Sequence, residues 1–170
     1  MPEQEVIERA HQDAREGKSP STQAGEFVRQ EIEHVRQGKH GAQSPQQAIA
    51  IGLSKARRAG VKLPPPRKGR ASAKTQARAE RDYRKGQSSR RHQASRRRSR
   101  ATSGALKREG HRAASHAALS RHAESSARRR GGASRRRAAE RAVRTKGTVG
   151  LRRAVRKAAR TRQAYRQRSR

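Results

Sequence analysis

The sequence predicts an all-α protein: a small three-helix N-terminal domain, then a long basic tail, largely disordered, with nascent helices. Three observations predict it. Apolar residues before position 64 recur at helical spacing between Gly and Pro breaks. Charge is divided unevenly: residues 1–66 carry 10 Lys/Arg and 8 Asp/Glu, net +2, whereas residues 67–170 carry 36 and 5, net +31. Only 29% of the 170 residues are apolar and 2% aromatic, too few to pack the whole length around one core.

The first helix is expected over about residues 3–16, where Val6, Ile7, Ala10 and Ala14 share a face and Gly17 is placed to stop it. Ser19-Pro20 then starts a second, over 20–37. Its face is Ala24, Phe27, Val28, Ile32 and Val35, and Gly38 ends it. Glu31 turns toward that face, and a Lys or Arg partner is the one account the sequence offers. Gly17-Lys18 before Ser19-Pro20 is echoed by Gly38-Lys39 before Ser44-Pro45: one stop-and-start device used twice.

The third helix, 45–59, carries the clearest signals. Ser44 is an N-cap, Pro45 suits the first helical position, and Gln47 completes a capping box with Ser44. Gly60 supplies the left-handed stop, and Pro64-Pro65-Pro66 blocks a restart. At about 100° per residue, Ala48, Ile49, Gly52, Leu53, Ala56 and Ala59 form one broad apolar face. Ser54, Arg57 and Arg58 fall opposite, with Lys55 at the margin and Ile51 outside the stripe. The expected domain is residues 1–63, followed by a polyproline spacer at 64–66 and a tail over 67–170. Eleven larger apolar side chains make a marginal core, so the Ile51 side is marked for self-association or a protein partner.

Beyond the prolines the chain is mostly Arg, Ala, Ser and Gly. Ala and Arg favour helix, so residues 71–85, 112–130, 134–145 and 151–167 are expected to become helical once phosphates neutralise their charge. Guanidinium groups bind phosphates bidentately and release counterions as they do so. The residues expected to do this are Arg57 and Arg58 on the third helix, then Arg90, Arg91, Arg96, Arg97, Arg98 and Arg100. Further on they are Arg128, Arg129, Arg130, Arg135, Arg136 and Arg137, and finally Arg152, Arg153, Arg156, Lys157 and Arg160.

Other chemistries find no support. There is no cysteine, hence no disulfide and no thiol chemistry. The acidic start lacks the apolar core of a secretory signal, and no run approaches the roughly 18 apolar residues of a membrane span. His11, His34, His40, His92, His111, His116 and His122 are expected to be solvated, with no metal and no cofactor. Gly17-Lys18 and Gly38-Lys39 lack the spacing of a phosphate-binding loop. No Ser-His-Asp or paired-carboxylate set sits on a credible scaffold, so no enzyme is expected.

Gly38-Lys39 followed by Gln47-Ala48-Ile49-Ala50-Ile51-Gly52-Leu53-Ser54-Lys55-Ala56-Arg57 resembles a family of small basic bacterial proteins of unknown function. Their hallmark is a helix closed by Gly-Lys, then a Gln-Ala-Ile-Ala-Ile-x-Leu-Ser helix and basic residues. The resemblance covers about residues 24–63; it implies a bacterial source and no established activity. By composition the tail resembles linker-histone-like and protamine-like basic domains, with 30 Arg to 6 Lys over residues 67–170 where linker histones favour Lys.

The expected function is binding to DNA and/or RNA without sequence preference, in a nucleoid-associated or accessory role in the cytoplasm. No zinc finger, leucine-zipper heptad or aromatic stacking motif is present to read bases. The alternatives are a protein–protein adaptor whose tail only localises it, and a ribosome- or RNA-associated protein.

Overall fold

The computed structural model describes residues 3–88 and 95–168. The described residues form helices joined by turns and loops, with no strand among them. The first unit, Met1–His122, contains α1 (Gln4–Arg15), α2 (Pro20–Arg36), α3 (Pro45–Arg58), α4 (Ala73–Gln87), α5 (Arg96–Lys107) and a 3-10 turn at Arg112–Ala114. α2 packs against α1 and α3, α4 packs on α3, and the 3-10 turn seats on α2 and α3.

The punctuation works as read. Gly17, Gly38 and Gly60 take φ of 69°, 74° and 96°. Each sits in the same closing motif: Lys18 N–H donates to Asp13 O, Lys39 N–H to His34 O, and Val61 N–H to Ala56 O. Ser44 Oγ accepts from Gln47 N–H at 3.2 Å. The return bond differs by one residue, because Gln47 Oε1 accepts from Gln43 N–H at 2.7 Å rather than from Ser44.

Two core clusters hold the unit together. The first joins Val6, Ala10, Ala24, Phe27, Ala56 and Val61, with Leu53 and Ala59 packed against it. On α1, however, Asp13 is buried and Ala14 exposed. Asp13 continues the stripe of Val6 and Ala10, and Lys18, just past the helix stop, donates to its carboxylate at 2.7 Å. Ion pairing holds the Lys18 ammonium above its ordinary range, Asp13 first and Glu16 second.

The second cluster draws residues from both sides of the prolines. Val35, Ala42 and Ala48 pack with Ala113 and Ala114, nearly fifty residues beyond the prolines. The connection is backbone-specific: Gly41 N–H donates to Leu106 O at 2.8 Å, and Ala42 N–H to Gly110 O at 3.0 Å. Gly41 is required here, since a Cβ would fall 1.9 Å from Glu109 O. Arg36 Nε adds a bond to Ala114 O at 3.0 Å. The prolines are likewise tied down rather than a free spacer, with Gln76 Nε2 donating to Pro66 O at 3.4 Å. The first compact unit thus spans Met1–His122, beyond the prolines. Small alanines and close backbone approach do the packing, so the scarcity of large side chains does not prevent it.

The second unit, Ala123–Arg170, contains the remainder of α6 (His116–Arg168). The helix is interrupted at Gly131 (φ 71°, ψ 167°) and Gly147 (φ 61°, ψ 177°), backbone conformations almost confined to glycine. None of the second unit's residues with a described side chain is buried. Val143, Val149 and Val155 are 51%, 70% and 68% exposed.

Candidate nucleic-acid interface

The cationic side chains divide into two groups, those consumed by the fold and those left at the surface. Arg57 belongs to the first group, which corrects its expected place among the phosphate ligands. It is 8% exposed. Its Nε donates to Leu63 O at 3.1 Å and its Nη2 to Pro64 O at 3.3 Å. Burial pushes the guanidinium down from its ordinary range, opposed by the charge of Asp82. Arg57 is a staple between the end of α3 and the proline segment.

Arg58 is exposed, and its Nε lies 3.7 Å from Asp82 Oδ1 and 3.3 Å from Ser54 O. Ser54 Oγ donates to Asp82 Oδ2 at 2.6 Å. α4 thus packs along the side of α3 expected to face solvent and leaves Arg58 exposed there. The approach is close, for a Cβ on Gly86 would lie 1.8 Å from Arg57 O. Arg57→Ala is expected to cost about 2 kcal/mol, because two carbonyls lose a charged donor. Arg58→Ala should cost under about 1 kcal/mol, as exposed pairs do. Thermal melts of the two variants check the contrast; equal losses would remove the staple from the account.

The surface group is large. Arg96, Arg97, Arg98 and Arg100 are all exposed on α5. Arg128, Arg129, Arg130, Arg135, Arg136 and Arg137 are exposed on either side of Gly131. Arg129 and Arg130 bond locally, Nη2 to Ser126 Oγ at 3.2 Å and Nε to Ser126 O at 3.4 Å. Arg152, Arg153, Arg156, Lys157 and Arg160 are exposed beyond Gly147. Of these, Arg153, Arg156, Lys157 and Arg160 are spaced i, i+3, i+4 and i+7 and lie together on one helix face. Arg90 and Arg91 lie outside the described residues. Ala123–Arg170 as a whole carries 18 Lys/Arg and 2 Asp/Glu, net +16 in 48 residues.

A polar cluster that the sequence reading missed lies between α2 and α3. Glu31 is fully buried. Lys55 Nζ pairs with its Oε2, the partner the sequence called for. Its Oε1 lies 3.2 Å from His40 Nε2, yet no hydrogen bond to Oε1 is aligned. His40 Nδ1 is 3.0 Å from Gly41 O, and the His34 and His40 rings meet edge to face at 6.1 Å between centroids. His34 Nε2 donates to Glu3 Oε1 at 3.0 Å. The nearby Gln30 amide, His34 ring and Lys39 ammonium hold the Glu3 carboxyl down at about 2. His34 and His40 keep only 12% and 16% of their side-chain surface, so neither is the solvated histidine expected. The signal available in the sequence was Glu31 and His34 at helical spacing, with His40 just past the Gly38 stop.

No helix among the described residues is long and apolar enough to cross a membrane. No curated protein and no solved structure matches the chain. Residues 17–68, which take in α2 and α3, match a family of unknown function, DUF6496.

Proposed function

We propose that this protein binds nucleic acid through charge and without sequence selection, using exposed Arg and Lys of α5 and α6. One observation carries the reading: Ala123–Arg170 has a net charge of +16 and no buried residue among those with described side chains. A segment built this way gains nothing from packing on itself, and its cations repel one another. Polyphosphate backbones relieve that repulsion and return counterions to solution. The helical stretches of this unit are proposed to be nascent in the free chain and fixed on phosphate, since alanine and arginine favour helix once charge is neutralised. Sequence selection is not expected, because phosphate contacts position a protein without reading bases. Association with the nucleoid, or an accessory role on nucleic acid, follows as the biological setting.

Replacing Arg96, Arg97 and Arg98 together by Gln tests the reading with little risk to the fold, since α5 buries none of its residues. Loss of three phosphate contacts should flatten the log–log salt slope by up to roughly 3 units and weaken unrelated duplexes alike. Weakening confined to one duplex would instead indicate base reading by α5.

A further inference from the structure

We propose that Glu31, His34 and His40 form a binding site for a divalent transition-metal ion, with Zn2+ the best fit. One nitrogen of each imidazole and a Glu31 carboxylate oxygen lie within 4.8 Å of one another. Two imidazoles and a carboxylate are a donor set suited to zinc. Zinc–ligand bonds of about 2.0–2.1 Å in a tetrahedral site put ligand atoms about 3.3 Å apart. His40 Nε2 and Glu31 Oε1 already stand at 3.2 Å. A His34 ring nitrogen lies within 4.8 Å of the other two ligand atoms.

The second support is the chemistry of the facing atoms. A carbonyl oxygen only accepts, so the 3.0 Å bond between His40 Nδ1 and Gly41 O places the ring hydrogen on Nδ1. When the ring is neutral, Nε2 carries a lone pair, and it stands 3.2 Å from a buried carboxylate oxygen that has no aligned donor. Two such acceptors at this distance suit a shared cation. Lys55 does not supply it, because its ammonium engages Oε2. The outer contacts also match those of metal-binding histidines, which donate their second ring nitrogen to a carbonyl or carboxylate. Gly41 O plays that part for His40, and Glu3 Oε1 holds His34 Nε2 at 3.0 Å. An ion here would fasten α2 to the link between Gly38 and Ser44. A proton on His40 is the competing cation, and it makes a different prediction: pH-dependent stability with no response to metal.

The test uses the full chain, freed of metal by chelator and titrated with Zn2+ by calorimetry and with Co2+ by visible absorption. One ion per chain is expected, with tetrahedral cobalt bands and a thermal midpoint that rises with Zn2+. His34→Gln and His40→Gln should each weaken binding by more than about tenfold. His11→Gln, on the exposed side of α1, should leave it unchanged. The imidazole NMR signals of the unaltered chain read the site even where a variant fails to fold, and those of His34 and His40 should move with Zn2+. Absence of binding, binding indifferent to both substitutions, or shifts confined to the other histidines would overturn the site.

Discussion

Residues 1–122 alone are expected to bind duplex DNA at least about a hundredfold more weakly than the full chain near 150 mM salt. The cut removes 18 Lys/Arg and 2 Asp/Glu, which is +16 of the +33 formal charge. If the full chain engages on the order of 10 phosphates, losing half of them costs several decades once salt competes. The shortened chain should still fold, because Ala113 and Ala114 and the pairing of Gly41 with Leu106 are retained. A cut after Pro66 should behave differently. It removes Ala79, Ala113 and Ala114 from the buried set, and its thermal midpoint should fall as well. Melting curves and fluorescence anisotropy on both shortened chains separate lost charge from lost fold. Equal affinity of residues 1–122 and the full chain would remove Ala123–Arg170 from the interface.

The second large effect is a reversal of sign between two glycines on packed helices. A Cβ at Gly52 would lie 2.7 Å from Val28 Cα and 3.0 Å from Phe27 O. Backbone atoms of α2 cannot step aside as a flexible side chain does. Gly52→Ala gains under about 1 kcal/mol in helix propensity and loses about 1–3 kcal/mol or more to overpacking. A net loss is expected, together with a lower thermal midpoint. Gly25, on α2, meets nothing within 4 Å of its built Cβ. Gly25→Ala should therefore stabilise by roughly 0.5–1 kcal/mol. Stabilisation by both substitutions would mean that α2 and α3 are not in contact at Gly52.

The contrast explains what the sequence made legible. Helix ends were readable because their signals are local. Ser44, Pro45 and the glycines at 17, 38 and 60 act through their own backbone, and their positions survive in the structure. The face of α3 was readable for a similar reason: Ala48, Gly52 and Ala56 are buried as spacing requires. Facts that depend on partners outside the helix were not readable. Arg57 looked like a surface cation because nothing in the sequence marks the carbonyls of Leu63 and Pro64 as its partners. Asp13 looked polar and Ala14 apolar, yet Lys18 satisfies the carboxylate and lets Asp13 take the inner position.

The region past the prolines posed a different difficulty. A count of large apolar side chains finds no core there, and α5 buries none of its residues. It is nonetheless placed by the loop that follows it, through Gly41, Ala42 and two alanines. Alanine and glycine carry almost no hydrophobic signal, although they permit the closest approach. The charge of the last 48 residues was legible in full, because exposure of cations needs no partner to predict it. The cluster of Glu31, His34, His40 and Lys55 was half legible. The buried acid announced its need for a cation, and the histidines became visible only once the link after Gly38 turned back on α2.

The central claim is that charge, rather than base reading, carries binding. Salt-titrated fluorescence anisotropy of the full chain with two unrelated duplexes tests it most directly. With on the order of 10 phosphates engaged, the log–log slope should lie near −9 on both duplexes, and affinity should drop by several decades between about 50 and 200 mM salt. A shallow slope joined to strong preference for one duplex would contradict the account.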